Sequence, residues 1–409
     1  MVKMIALALP RPSALFHRHL RVLHTKARRP HSTSSPRSSI NLPAARSPGV
    51  HKLDVYPETL NLTINMAPTV QRPPIKIVAL DTLYCPIPRL ELPSPHTCEL
   101  REYPSTRTDQ IAERIRDADV VVCTGVRLSS DVLAPAVSPK LKMIAVVAAG
   151  TDHIDKAACK ARGIHVANSP ACNPVAVAEH TLGLYFAVRR SIALSNTLVR
   201  AGEWSKHGRH PTAILERFKG PDGRAPRTCA QEVVGIVGYG AVGKQIAAHA
   251  AALGMRVLLS ARKGAPAAAA AAGVAARVPF ETVLRTASVV VLAVPREPET
   301  MQLLSHAELA LMPPHALLIN VSRGGVVDEE ALIAALKTKR IAGAATDVFV
   351  HEPAGPENSV LLGPGTADLN LVVTPHCAWF TEDTRVNFMI CLQENLASWV
   401  QGQLINSVL

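Results

Sequence analysis

Short apolar runs rich in Val, Ile and Leu recur along the chain, each closed by a polar or turn residue. Ile75–Leu80, Val120–Cys123 and Leu141–Ala148 are three such runs in the first half, and Asp109–Arg116 between them reads as a helix. Buried strands alternating with helices predict βαβ units and a parallel sheet. Asn173-Pro174 then opens a helical stretch to about Arg200, with an N-cap residue followed by proline at the first helical position. Residues 206–230 read as loop, punctuated by Gly208, Pro211, Gly220-Pro221, Gly223 and Pro226. A second alternating series begins at Glu232, with strands expected over Val233–Val237, Met255–Leu259, Val289–Val294, Ala316–Val321, Ala342–Val348 and Asn370–Thr374. Ala265–Ala272 is a low-complexity alanine stretch of the kind tolerated at a surface. The pattern describes an α/β chain of two units joined by long helices.

Composition adds limits. With 48% hydrophobic residues over 409 positions, the chain can fill two ordinary cores, which excludes general disorder. Aromatics are only 4%, so those cores must be aliphatic. The net charge of +12 would suggest a nucleic-acid binder until its position is considered. Ten of the 44 Lys/Arg lie before Asp54, in a segment without any acidic residue, and the rest of the chain is close to neutral. Residues 1–66 are therefore a basic leader expected to lie outside the fold, and no nucleic-acid binding is expected from the body. On a helix from Ser13 to Arg29, Phe16, Leu20, Leu23 and Ala27 form an apolar stripe beside Arg18, Arg21 and Arg28. That is how a mitochondrial presequence reads. The alternatives are an unstructured tail, or a shorter cytoplasmic chain opening at Met66. No stretch approaches the eighteen or so apolar residues of a membrane span, so no membrane insertion is expected. The eight cysteines form no C-x-x-C and are read as reduced thiols, with no metal site.

The strongest local signal is Gly238, Gly240 and Gly243, a G-x-G-x-x-G between the strand Val233–Val237 and a helix from Ala241 to Leu253. The glycines permit a tight turn, approach of a pyrophosphate and close helix packing, and the helix N-terminus offers free N–H groups to phosphate. Ala241 and Val242 are expected at the pyrophosphate. In this setting the motif predicts a Rossmann-like, doubly wound sheet binding a nicotinamide dinucleotide. An acid at the end of the second strand would bind the adenosine ribose, but that place reads Ser260-Ala261-Arg262-Lys263. No carboxylate repels a 2′-phosphate there, and Ser260, Arg262 and Lys263 can bond to one. NADP(H) is the expected preference, with NAD(H) as the other possibility; the bland reading of Arg262 and Lys263 is a solvated edge.

Three later segments end predicted strands in polar groups: LLINVSRGGVVDEEAL with Arg323, AATDVFVHEPAG with Asp347 and Glu352, and LVVTPHCAW with His376. In an open parallel sheet these positions converge on one crevice. At this point the chain resembles the D-isomer-specific 2-hydroxyacid dehydrogenase family. Residues 148–164 (AAGTDHIDKAACKARGI), the glycine loop, residues 320–329 (NVSRGGVVDE) and the His376 segment match in order from about residue 73 onward. Within the family the resemblance is strongest to glycerate dehydrogenases, or hydroxypyruvate reductases, through residues 199–208, residues 256–265 and the His-x-Ala-Trp ending at Trp379.

The resemblance implies two Rossmann-like parallel-sheet domains, with a discontinuous substrate domain over 73–168 and 377–409 and a cofactor domain over 169–376. It implies that Arg323 anchors the carboxylate and polarises the carbonyl of a small 2-keto acid, that His376 is the acid/base, and that Glu352 holds its imidazole. Backbone groups of Ala149, Gly150 and Thr151 would help bind the carboxylate. Asp347, Val294-Pro295, Val321-Ser322 and Trp379 would join Arg323 and His376 along the cofactor. The implied reaction is reduction of hydroxypyruvate or glyoxylate by a homodimer. Alternatives of the same resemblance are a phosphoglycerate dehydrogenase and a nucleotide-dependent corepressor of the C-terminal-binding-protein kind. Departures from the family pattern are Ala171 in place of a hinge glycine, Ala230-Gln231-Glu232 in place of Gly-Lys-Thr, Arg296 in place of Leu, and an extra loop at 220–227.

Overall fold

The computed structural model describes residues 72–206, 212–266 and 276–409. The leader 1–66 with Met66, and most of the alanine stretch 265–272, lie outside the described residues. Two fully parallel sheets carry the fold. The first contains β1 (Ile75–Ala79), β2 (Cys98–Glu102), β3 (Val120–Cys123), β4 (Met143–Val146) and β5 (His165–Ala167), in the order β2-β1-β3-β4-β5. The second contains β6 (Val233–Val237), β7 (Arg256–Leu259), β8 (Val289–Leu292), β9 (Leu317–Asn320), β10 (Gly343–Thr346) and β11 (Leu371–Val373), in the order β11-β10-β9-β8-β6-β7. Beyond β7 a parallel bridge joins Ser260 to Val278, so a further strand position is reduced to one contact.

The strands are buried on both faces, as parallel sheets covered by helices require. Val120–Cys123, Met143–Val146, Val289–Leu292 and Leu317–Asn320 are buried at every position. On one face of the second sheet, helix Pro174–Arg189 packs Val177, Leu184 and Val188 with Ile246 and Ala250 of helix Ala241–Ala252. The other face packs Phe280, Val283, Leu309 and Leu332. The chain then returns to the first sheet. Helix Glu382–Val400 sets Phe388, Leu392 and Leu396 against Ile77, Val122 and Met143. Beyond it, Val408 donates its N–H to Val166 at 3.0 Å, beside β5. The first lobe is thus built from both ends of the described chain. Among the described residues, no helix is long and apolar enough to cross a membrane.

Three features depart from the sequence pattern. The helix expected from Pro174 to about Arg200 is two helices, Pro174–Arg189 and Ile192–Arg200, broken where Ser191 adopts a left-handed φ of 49°. Strand β2 escapes the apolar pattern because it is an edge strand, CELRE, with Glu99, Arg101 and Glu102 exposed. Strand β5 escapes it because it is only three residues long.

Candidate active site

The two lobes meet along the carboxyl ends of their strands. In the second sheet β7 lies to one side of β6 and β8 to the other, which makes the β6/β8 gap the topological switch point. The glycine loop sits at that gap. Gly238 has a left-handed φ of 97°, and a Cβ on it would fall 2.3 Å from the Ala293 carbonyl oxygen. A Cβ on Gly243 would fall 2.0 Å from the Gly238 oxygen, so both glycines are needed for the turn to close on the helix. Gly240, the N-cap of helix Ala241–Ala252, faces open space, with nothing within 4 Å of an added Cβ. Ala241 is exposed beside it and Val242 half-buried. An open backbone cradle at a helix N-terminus fits a pyrophosphate.

The end of β7 sets the three residues read as phosphate ligands, and Ala261 among them, in different surroundings. Ser260 is buried and donates its hydroxyl to the Ala261 carbonyl; Ala261 is buried as well. Arg262 is exposed. Lys263 is exposed but paired with Glu308, Nζ to Oε1 at 2.8 Å. Burial would raise the Glu308 carboxyl, but the Lys263 bond and the Ser305 N–H together hold it below its usual range. A cation absent from the sequence reading also reaches this edge. Arg277 donates to the Ser260 carbonyl at 3.4 Å, and its guanidinium carbon lies 5.9 Å from the Tyr239 ring centroid. Val294 is half-buried and Pro295 exposed beyond β8, while Val321 and Ser322 are buried beyond β9.

Arg323 leaves the carboxyl end of β9 and crosses to the first lobe. Its Nε donates to Asp152 Oδ2 at 3.0 Å and its Nη1 to the Ser322 carbonyl at 2.7 Å. Its Nη2 occupies the space a Gly150 side chain would need, 1.8 Å from an ideal Cβ. The loop Ala149-Gly150-Thr151 is therefore directly at the guanidinium, and Asn168 ties it down by donating to the Ala149 carbonyl at 2.7 Å. Two residues not singled out in the sequence shape the turn. Asn320 accepts from the Ser322 N–H and hydroxyl and donates to the Arg323 carbonyl. Gly324 packs so closely on the next loop that a Cβ would meet the Phe349 oxygen at 1.7 Å.

His376 is the other pole of the cleft. Its Nδ1 lies 2.7 Å from Glu352 Oε2, and Glu352 Oε1 accepts the Phe349 N–H at 2.9 Å. Burial would raise the Glu352 carboxyl, but the bond and charge of His376 outweigh it and hold the group below the ordinary carboxylate range. With Nδ1 committed to the carboxylate, Nε2 is the ring nitrogen left to exchange a proton. His376 has a left-handed φ of 51°, which a non-glycine residue holds only under strong local constraint. That constraint comes from Asp347. Its carbonyl accepts the His376 N–H at 2.8 Å. Its buried carboxylate accepts from the Thr374 hydroxyl at 2.6 Å and from the N–H groups of Cys377 and Ala378 at 3.0 and 2.9 Å. His180 completes the knot, with Nε2 3.0 Å from Thr374 Oγ1. Asp347, read from the sequence as a cofactor contact, thus also holds the His376 loop. Trp379 has a similar role: its indole N–H donates to the His376 carbonyl at 3.0 Å and its ring packs against the cores of both lobes.

The arrangement sets a guanidinium, an imidazole paired with a carboxylate and a phosphate cradle around one cleft. The chain is similar to several known proteins. The model of the D-isomer specific 2-hydroxyacid dehydrogenase NAD binding domain matches residues 182–378. A glycerate dehydrogenase of Methylorubrum extorquens is 38% identical over 338 residues, which is 81% of this chain and 98% of that protein. A glyoxylate reductase of Thermococcus litoralis is 36% identical over 298 residues, 72% of this chain and 84% of that protein. Among solved structures, an acyclic imino acid reductase in complex with NADPH and D-Arg superposes with a TM-score of 0.64 at 24% identity, covering 82% of this chain and all of that one; at that identity it shows the fold alone.

Proposed function

Because the chain belongs to the D-isomer-specific 2-hydroxyacid dehydrogenase family, oxidoreductases acting on a CH–OH group with a nicotinamide cofactor, we propose that it reduces hydroxypyruvate and glyoxylate, with His376 as the proton donor and NADP(H) as the preferred cofactor. The observation that carries the reading is the His376–Glu352 pair, 2.7 Å apart, past a strand end of the same sheet from which Arg323 reaches the Gly150 loop. Relatives named glycerate dehydrogenase and glyoxylate reductase support the substrate class.

A nicotinamide cofactor, when bound, supplies the hydride. The chain supplies the rest. Arg323, positioned by Asp152, takes the substrate carboxylate through charge-assisted bonds and draws electron density from the adjacent carbonyl. His376 Nε2 gives the keto oxygen a proton in reduction and takes it back in oxidation. Glu352 orients the ring through Nδ1 and balances its charge while it is protonated. For the cofactor, the absence of an acid at Ala261 and the exposed Arg262 support NADP(H), and Arg277 adds a further cation at the same edge. Exposed Ile192, Val199, Trp204 and Leu215 on the connecting helices support a homodimer through the cofactor lobe. A sedimentation mass of twice 43.7 kDa is the expected result, and a monomer at micromolar concentration would refute that part.

The experiment for the reaction is a panel of hydroxypyruvate, glyoxylate, phosphohydroxypyruvate and branched 2-keto acids, each run with NADPH and with NADH. Hydroxypyruvate or glyoxylate with NADPH should give the highest kcat/KM. A best rate with phosphohydroxypyruvate would move the chain to phosphoglycerate chemistry, and negligible turnover on every acid would overturn the enzymatic reading.

A further inference from the structure

All eight cysteines are free, and two of them line one groove. Cys172 lies in the first crossover between the lobes, between β5 and helix Pro174–Arg189. Cys391 lies on helix Glu382–Val400, in the core cluster that covers the first sheet. Cys172 Sγ donates to the Asn387 carbonyl at 3.7 Å, and Cys391 stands one helical turn on from Asn387, so the two thiols face each other across that carbonyl. We propose that Cys172 and Cys391 are a peroxide-sensitive dithiol whose disulfide locks this crossover and slows the enzyme. The inference goes beyond the proposed reaction and uses none of its groups.

The surroundings suit the two sulfurs to different roles. Cys391 Sγ accepts from Asn406 Nδ2 at 3.5 Å and Asn395 Nδ2 at 3.8 Å, so two amide donors meet this sulfur, and as a thiol it donates to the Asn168 carbonyl at 3.9 Å. The two amide donors favour a thiolate there, against the Asn168 carbonyl and the Glu394 charge. The Cys172 thiol beside it draws the Cys391 thiol down to about 7 against the opposing effect of burial. Cys172 moves the other way, pushed up by Cys391 and by burial, and stays a thiol with carbonyls of Pro170 and Asn387 at 3.5 and 3.7 Å. One sulfur is thus the attacking nucleophile and its neighbour the resolving thiol. An open groove of about 390 Å³, lined in part by Pro170, Ala171, Asn387 and Asn406, reaches both. Cys377, next to His376, differs: burial first, then the Asp347 charge, push its thiol up, which makes it a poor competitor for oxidant.

The chemistry balances with a hydroperoxide as oxidant. The Cys391 thiolate attacks one peroxide oxygen, the O–O bond breaks, and the remaining oxygen leaves as water or an alcohol after taking a proton. The resulting sulfenic acid is attacked by the Cys172 sulfur. The S–S bond forms, hydroxide leaves, and the Cys172 proton completes a water. Two thiols lose two electrons and the peroxide gains them. The bond then ties residue 172 to the C-terminal helix, to which Asn387 already tethers its carbonyl at 3.2 Å. Its neighbour Ala171 sits at a left-handed φ of 55°, the position where the backbone turns into the second lobe. A crossover fixed at that point resists the dihedral change of hinge closure.

The test treats the full chain with a few equivalents of hydrogen peroxide and follows intact mass, alkylatable thiols and turnover of hydroxypyruvate and glyoxylate. Expected are a loss of about 2 Da, two fewer reactive thiols, a peptide pair joining Cys172 to Cys391, and a fall in kcat of about fivefold or more that dithiothreitol reverses. Cys172→Ser and Cys391→Ser should keep the untreated rate and resist the peroxide. Oxygen addition without the cross-link would overturn the proposal. So would a cross-link that leaves kcat unchanged, or a rate loss that persists in Cys172→Ser. The mass readout needs no substrate, so its failure is separate from failure of the proposed reaction.

Discussion

Arg323 and Gly150 occupy the same space from opposite lobes: the guanidinium Nη2 lies 1.8 Å from where a Gly150 Cβ would stand. The pair makes the site a product of both sheets, since Gly150 follows β4 of the first and Arg323 follows β9 of the second. Gly150 has no left-handed backbone to protect. The nearest atoms to that Cβ all belong to the arginine.

Gly150→Ala should therefore cost activity with little loss of stability. The clash is with the end of a flexible side chain, which can swing aside while the backbone stays in place. We expect kcat/KM for the keto acid to fall about 100-fold, the worth of a charge-assisted carboxylate bond of about 3 kcal/mol, with Tm and NADPH affinity unchanged. Arg323→Ala should lose at least as much. A Gly150→Ala protein with full kcat/KM would show that the guanidinium position is not what matters.

Glu352→Gln should move the pH profile of reduction to lower pH, because the protonated ring loses its counter-charge and the donor form of His376 persists over a narrower range. Stability gives a second readout. The Glu352 carboxyl is held below its ordinary value in the folded chain, so its contribution is present above the unfolded carboxyl's pKa of about 4.3 and is lost as pH falls through the folded value. Wild type should therefore lose more stability than Glu352→Gln between about pH 5 and 3. Identical acid-unfolding slopes and identical rate profiles would remove Glu352 from this role.

The poles of the site were legible in the sequence because each stands just past a hydrophobic run: Gly238 after β6, Arg323 after β9 and His376 after β11. What holds them was not. Asp347 carries the same strand-end signature as a ligand-facing acid, and only the folded loop shows Thr374, Cys377 and Ala378 taking its oxygens. Asp152 and His180 lie far in sequence from their partners Arg323 and Thr374, so no local spacing could reveal them. Lys263 shows the same limit in charge: its pairing with Glu308 spans 45 residues. Local pattern gives the position of a side chain along a strand, but the partner that captures it is a tertiary fact.

That capture leads to a pair of cofactor variants. Arg262→Ala should lower kcat/KM for NADPH by about ten- to hundredfold, one charge-assisted phosphate bond, and leave NADH nearly untouched. Glu308→Gln should do the reverse for NADPH. It frees Lys263 from its 2.8 Å partner, and a surface pair of this kind is worth under about 1 kcal/mol, so KM for NADPH should fall about two- to threefold. Equal effects on both cofactors in either variant would argue that neither cation meets a 2′-phosphate.

At the other ends of the second sheet's strands, Glu232 stands just before β6. Arg189 Nε and Glu232 Oε1 are 2.6 Å apart, with side chains 6% and 0% exposed. Arg189 also donates to the carbonyls of His315 and Ser288, both at 3.1 Å, while the Ser288 hydroxyl and the Tyr185 hydroxyl donate to Glu232. The pair thus joins the end of helix Pro174–Arg189 to the entries of β6, β8 and β9. Removing one partner strands the other charge in the interior, at a cost of about 3–5 kcal/mol. Glu232→Ala should lower Tm by on the order of 10 °C without changing kcat at 25 °C, because the cleft lies at the other ends of the strands. Replacing both, as Arg189→Met with Glu232→Leu, should cost less than Glu232→Ala alone, since no buried charge is left uncompensated. Additive losses in the cycle of Arg189→Met, Glu232→Leu and the double variant would mean that the two side chains act separately and that the 2.6 Å contact contributes nothing to the fold.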